Sequence, residues 1–132
     1  MQPRLLACVV LLAVAILPGC NDADIDYPIG DGGWHLVLNT GQVPTVGSYP
    51  VYIEIEGQVI NLTDGGRPQD GAILLFSTSG GSYENGLTEI EKGMAAGKAV
   101  STLQIDGPGR YEVSVEYVDQ SCTVSTTVEV WL

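Results

Sequence analysis

Three stretches of this chain alternate apolar and polar residues without a break. In VYIEIEG, Val51, Ile53 and Ile55 fall on one side and Tyr52, Glu54 and Glu56 on the other. RYEVSVEY sets Tyr111, Val113, Val115 and Tyr117 against Arg110, Glu112, Ser114 and Glu116. CTVSTTVEVWL places Cys122, Val124, Thr126, Val128, Val130 and Leu132 on one face. Successive side chains of a strand point to opposite faces, so a period of two makes each stretch a strand with one buried side. No stretch after the first 19 residues carries the three-and-four apolar spacing of an amphipathic helix. Turn residues recur between the strands: Thr40-Gly41, Val46-Gly47, Asp64-Gly65-Gly66, Gly80-Gly81, Asn85-Gly86, Gly93, Gly97 and Asp106-Gly107-Pro108-Gly109. Gly and Asn accept the positive φ of tight corners, and Pro both presets a turn and stops a strand. Seven strands are expected, near 35–39, 49–62, 71–79, 87–91, 98–105, 110–118 and 122–131. That number of short alternating strands in roughly 100 residues predicts an all-β, immunoglobulin-like sandwich of two antiparallel sheets.

The front of the chain follows other rules. Residues 5–17 are uninterruptedly apolar, behind one positive charge at Arg4. Thirteen residues fall short of the roughly 20 that a membrane helix needs and fit the 7–15 of a secretory leader. Leu17-Pro18-Gly19-Cys20 resembles the lipobox of bacterial lipoproteins, with Pro18 standing where a small residue is commoner. The resemblance implies cleavage between Gly19 and Cys20, diacylglycerol on the Cys20 sulfur and an acylated new N-terminus. Several acyl chains, at about 0.8 kcal/mol per buried CH₂, hold a protein on a bilayer where one does not. The expected location is therefore the bacterial cell envelope, with the outer membrane favoured and the membrane reached through the N-terminal lipid. An ordinary cleaved leader and an uncleaved anchor are the alternatives.

Residues 1–19 are thus read as a signal peptide, 20–33 as the lipidated Cys and an acidic tether, and 34–132 as the domain. The tether, NDADIDYPIGDGG, holds four Asp and three Gly in its last thirteen residues. Asp22, Asp24 and Asp26 have the spacing of a calcium loop, but Tyr27 stands where the turn glycine belongs and Gly33 where the closing Glu belongs. Without the leader, 113 residues remain, enough for one domain with a real core. Four basic residues then face sixteen acidic ones, a formal net charge of −12. Affinity for nucleic acid comes from neutralising phosphates with Lys and Arg, so no nucleic-acid partner is expected. Cys8 leaves with the leader and Cys20 becomes a thioether, which leaves Cys122 as the single thiol, on the inward register of its strand and either buried or linked between chains.

The run TDGGRPQDGAILLFSTSGGSYENG, residues 63–86, resembles the invasin/intimin-like group of bacterial immunoglobulin-like domains. Asp64, Gly66, Pro68, Gly71, Leu74, Phe76 and Gly81 stand where that family has D-x-x-G-x-P-x-x-G and the following alternation. Gly97, Ala99, Leu103, Gly109, Tyr111, Val113 and Val115 match a second stretch. The resemblance spans about residues 36–131 and implies a spacer, stalk or presenting module of surface adhesins. Because it concerns the fold, the function it implies is an association.

Chemistry-bearing constellations are sparse. His35, beside Trp34, is the only His, and no nucleophile motif or His/Cys pair accompanies it, so neither a catalytic residue nor a metal or other cofactor is expected. Strand 71–79 turns Ala72, Leu74 and Phe76 inward and leaves Ile73 and Leu75 on the other face, to be covered by the region around Trp34 or offered to a partner. In an immunoglobulin sandwich the first strand starts at the end carrying the B–C, D–E and F–G loops. The anchored end is then expected there, with Tyr83, Glu84, Asn85 and Trp131 presented at the far end as a recognition surface. The function expected is a non-enzymatic envelope lipoprotein presenting one immunoglobulin-like domain for adhesion, envelope structure or assembly with an envelope or surface protein. The alternatives are a small carbohydrate- or calcium-binding module using Asp64, Asp70, Asp106 and Asp119, and, less favoured, a hydrolase.

Overall fold

The computed structural model describes residues 23–29 and 32–132. The leader, Gly19 and Cys20 lie outside the described residues. Eight strands follow one another: β1 (Ala23–Pro28), β2 (Trp34–Thr40), β3 (Val51–Asn61), β4 (Ile73–Thr78), β5 (Glu89–Gly93), β6 (Lys98–Ile105), β7 (Gly109–Tyr117) and β8 (Cys122–Val130), with one 3-10 turn at Val118–Gln120. They form two four-stranded sheets, ordered β1-β2-β3-β6 and β5-β4-β7-β8, with every pairing antiparallel. The expected immunoglobulin-like sandwich is present, and β2 to β8 follow the seven predicted segments closely.

Between the layers lies one core. Leu36 and Leu38 of β2, Ile53, Ile55 and Val59 of β3, and Leu103 and Ile105 of β6 face Leu74 and Phe76 of β4, Val113 and Val115 of β7, and Val124, Val128 and Val130 of β8. All are buried, and each fully buried aliphatic side chain is worth about 1.5–3 kcal/mol of transfer free energy. Gly57 is the gap in this pattern: a Cβ there would lie 2.6 Å from Leu74 Cδ1 and 3.0 Å from Val115 Cγ1. The glycine lets the opposite sheet approach β3 at that point. On β8, Cys122 at the strand's start and Thr126 at its middle are only half-buried, Val124, Val128 and Val130 are buried, and Leu132, beyond the strand's end, is exposed.

One strand departs from expectation. Residues 23–28, assigned to the tether, form a strand that pairs along β2 from Ala23 opposite Thr40 to Pro28 opposite His35. Main-chain N–H and C=O groups must be satisfied, and the edge of β2 satisfies them as a sheet. Asp24 and Asp26 consequently belong to extended backbone, not to a loop wrapped around an ion. The periodicity left the partner of β5 open, and it adds to β4, the place of strand C′ in variable-type domains. The β6 edge is already taken: Ser82 and Gln104 exchange two backbone hydrogen bonds of 3.0 and 2.8 Å, and the Thr102 amide donates to Glu84 Oε1 at 2.8 Å.

The hairpin of β1 and β2 also reverses the expected polarity. Val51 (opposite Ile105) and Gly109 (opposite Val130) mark one end of the sandwich. β2 runs towards that end and β1 starts on its side, with Ala23 opposite Thr40 and so level with Ile55, four strand residues short of Val51. The chain therefore enters beside the β2–β3 and β6–β7 loops, whereas the β3–β4 and β7–β8 loops occupy the opposite end.

Candidate functional site

At the end away from Ala23, the β3–β4 loop, the β7–β8 turn and the start of β2 enclose a groove of about 750 Å³. Its floor is apolar: Ile29 and Val59 are buried and Ala72 half-buried. Trp34 packs on the core from β2, and Tyr117 closes β7 on the other side. Around them stand planar polar groups, Arg67, Gln69 and Asp70 from one loop and Asp119 and Gln120 from the other. An apolar base with a few convergent polar groups is the common form of a ligand site.

Local chemistry holds these loops in place. Asn61 is buried: its Oδ1 accepts from the amides of Thr63 (2.9 Å) and Asp64 (3.2 Å), and its Nδ2 donates to the Gly32 carbonyl at 2.8 Å. Asp64 Oδ1 then accepts from the Gly66 amide at 2.7 Å, an Asx turn that fixes the start of the loop. Asp70 Oδ1 accepts from the Ala96 amide at 3.0 Å and ties the loop's far side to the β5–β6 turn. Residues 67–71 thus build one wall of the groove, on a loop whose start is fixed by Asn61 and Asp64. Burial, and secondarily the nearby Asp119 charge, raises the Tyr117 hydroxyl above its ordinary value, so it remains a neutral donor.

The residues singled out from the sequence do not form one surface. Tyr83 is corrected from recognition residue to core residue: it is 3% exposed, its ring meets Phe76 edge-on at 6.2 Å, and its hydroxyl donates to the Ser77 carbonyl at 2.8 Å. Burial, then the Glu84 charge, keeps that hydroxyl far above the usual tyrosine range. Glu84 is clamped rather than presented. Its carboxylate accepts from Lys92 Nζ and the Thr102 amide, both at 2.8 Å, and from the Ser101 hydroxyl. These bonds close the side of the sandwich between β5 and β6. Asn85 is exposed but spends both ends of its amide within the turn, on the Leu87 N–H and the Glu89 carbonyl. Ile73 lines the groove, Leu75 lies in a shallow depression with residues 85–91, and Trp131 is exposed at the other end of the molecule.

Of the four aspartates considered for calcium or sugar, Asp70 and Asp119 share the groove, while Asp106 follows β6 at the opposite end, where it accepts from Gln104. Among the described residues no group of three or more His, Cys, Asp or Glu could hold a metal ion. His35 is half-buried on β2, opposite Ile60. The groove residues Arg67, Gln69 and Gln120 escaped the sequence reading because loops show no periodicity, and Tyr117 was legible only as an inward residue of its strand. Their one sequence signal is position, in the two connections that flank the same end of a sandwich. No protein-family model matches the chain, and no curated protein or solved structure matches it either.

Proposed function

We propose that this protein is a non-enzymatic envelope lipoprotein whose single immunoglobulin-like domain serves adhesion or assembly, presenting the groove between Trp34 and Tyr117 to another envelope or surface protein. The observation that carries this reading is the register of β1. Ala23 lies opposite Thr40, so an anchor at Cys20 leaves the groove at the end of the domain farthest from the membrane. The resemblance of residues 63–86 and 97–115 to invasin/intimin-like domains supports a presenting role, as does a groove rim of polar side chains around an apolar floor flanked by Trp34 and Tyr117. A photo-crosslinking residue placed at Gln120 in cells tests it, with the same residue at Glu56, on the outer face of β3, as reference. A discrete adduct from position 120 alone is expected; equal labelling at both positions refutes it.

A second reading rests on the groove's composition. Two aromatic faces beside planar carboxylate, amide and guanidinium groups also suit a saccharide, whose apolar face stacks while its hydroxyls bond the rim. Saccharide binding by the isolated domain that disappears in Trp34→Ala would favour it over a protein partner.

A further inference from the structure

We propose that the end face opposite the groove, built from Val46, Trp131 and Leu132, seats directly on the bilayer that holds Cys20. The inference rests on the lipoprotein reading and adds a protein–lipid contact to it. Topology brings the face together: the β2–β3 loop, the start of β3, the β6–β7 turn and the residues after β8 form one end, and it projects four strand residues, about 13 Å, beyond the level of Ala23, which pairs through Thr40 with Ile55. The Leu132 amide donates to the Tyr49 hydroxyl at 3.2 Å, which joins the β8 extension to the β2–β3 loop.

Chain length then fixes the distance. Only Asn21 and Asp22 separate Cys20 from Ala23. Three residue steps reach at most about 11 Å even when fully extended, and the headgroup layer of one leaflet is itself about 6 Å deep. A domain held on so short a lead cannot stand clear of the surface.

The side chains at that end fit the contact. Val46 is 84% exposed, Trp131 64% and Leu132 37%. The Trp131 N–H donates to Glu129 Oε1 at 3.4 Å, which leaves the apolar body of the indole for the boundary between headgroups and acyl chains, where such rings concentrate. Electrostatics exclude the other common mode of attachment, a basic patch on anionic lipid. Near this end the only cation among the described residues is Arg110, whose guanidinium lies 3.5 Å from Glu129, and Asp106 is close by. The seat is therefore apolar, and added anionic lipid weakens it.

The test uses the full acylated protein in phosphatidylethanolamine/phosphatidylglycerol vesicles, with and without brominated acyl chains. Trp34, at the groove, stands about 20 Å farther from the surface, six strand residues beyond Thr40, and serves as the internal reference. Native protein is expected to lose part of its tryptophan emission to the brominated lipid, and Trp131→Phe to lose none. Trp131 is exposed, so that substitution leaves the core untouched. If native protein and Trp131→Phe respond alike while mass spectrometry finds the acyl groups on Cys20, the seat is refuted and the lipoprotein stands. If no acyl mass is found, both readings fall together.

Discussion

Replacing Glu84 by Gln keeps the outline of the side chain and removes its charge. Burial acts to raise this carboxyl, but hydrogen bonds from Lys92, Ser101, the Thr102 amide and its own backbone outweigh that and hold it down to about 2, against an ordinary 4.5. In a dry site a depression of that size would amount to about 3 kcal/mol. The Glu84 side chain is 42% exposed, and solvent screening reduces such a pair to about 1 kcal/mol. Glu84→Gln should therefore lower stability at pH 7 by about 1 kcal/mol, roughly 4 °C in Tm for a domain of this size. The native carboxyl is the more acidic of the two states, so on acidification the unfolded chain takes up the proton first. The advantage of the carboxylate is thus complete above pH 4.5 and fades as pH falls towards 2. Urea unfolding followed by tryptophan fluorescence should give a gap between native and Glu84→Gln midpoints that is constant from about pH 8 to 5 and closes below. Equal midpoints at pH 7, or a gap that persists at pH 2, would refute the clamp as a charged device.

Other outcomes follow from the same geometry. Tyr83→Phe removes the bond to the Ser77 carbonyl and should cost about 1 kcal/mol in urea denaturation without altering the fold. Gly57→Ala should cost about 1–3 kcal/mol by overpacking against Leu74 and Val115, and a neutral result would mean that the sheets separate freely there. Burial pushes the Cys122 thiol above its ordinary value, so alkylation near pH 8 should be slower in native than in urea-unfolded protein. A chain begun at Gly32, lacking β1, should lose stability and expose the edge of β2, seen as faster hydrogen exchange at the residues that pair with β1.

Seven of the strands were legible because each turns one face to the opposite sheet, and burial on one side of a pleat writes itself as alternation. The same signal was present in β1, where Ala23, Ile25 and Tyr27 alternate with Asp24 and Asp26. There it was masked by the acidic count and the neighbouring glycines, and the aspartate spacing drew attention to ion binding instead. Tyr83 was misread for a related reason. Gly80-Gly81 and Asn85-Gly86 mark its surroundings as turn, and nothing local reveals that the ring folds back beneath Phe76. The clamp at Glu84 joins residues 17 and 18 positions apart across two sheets, and the groove joins loops about 50 residues apart. Contacts of that kind exist only once topology is known.

The antiparallel β1–β2 hairpin has an architectural corollary. Beads threaded on a string need their inlet and outlet at opposite poles, whereas Ala23 and Leu132 leave this domain from one pole, β1 lying near β8. Strung head to tail, copies would zigzag, not lengthen into a rod. Such a shape suits a module held at one pole with its groove at the other.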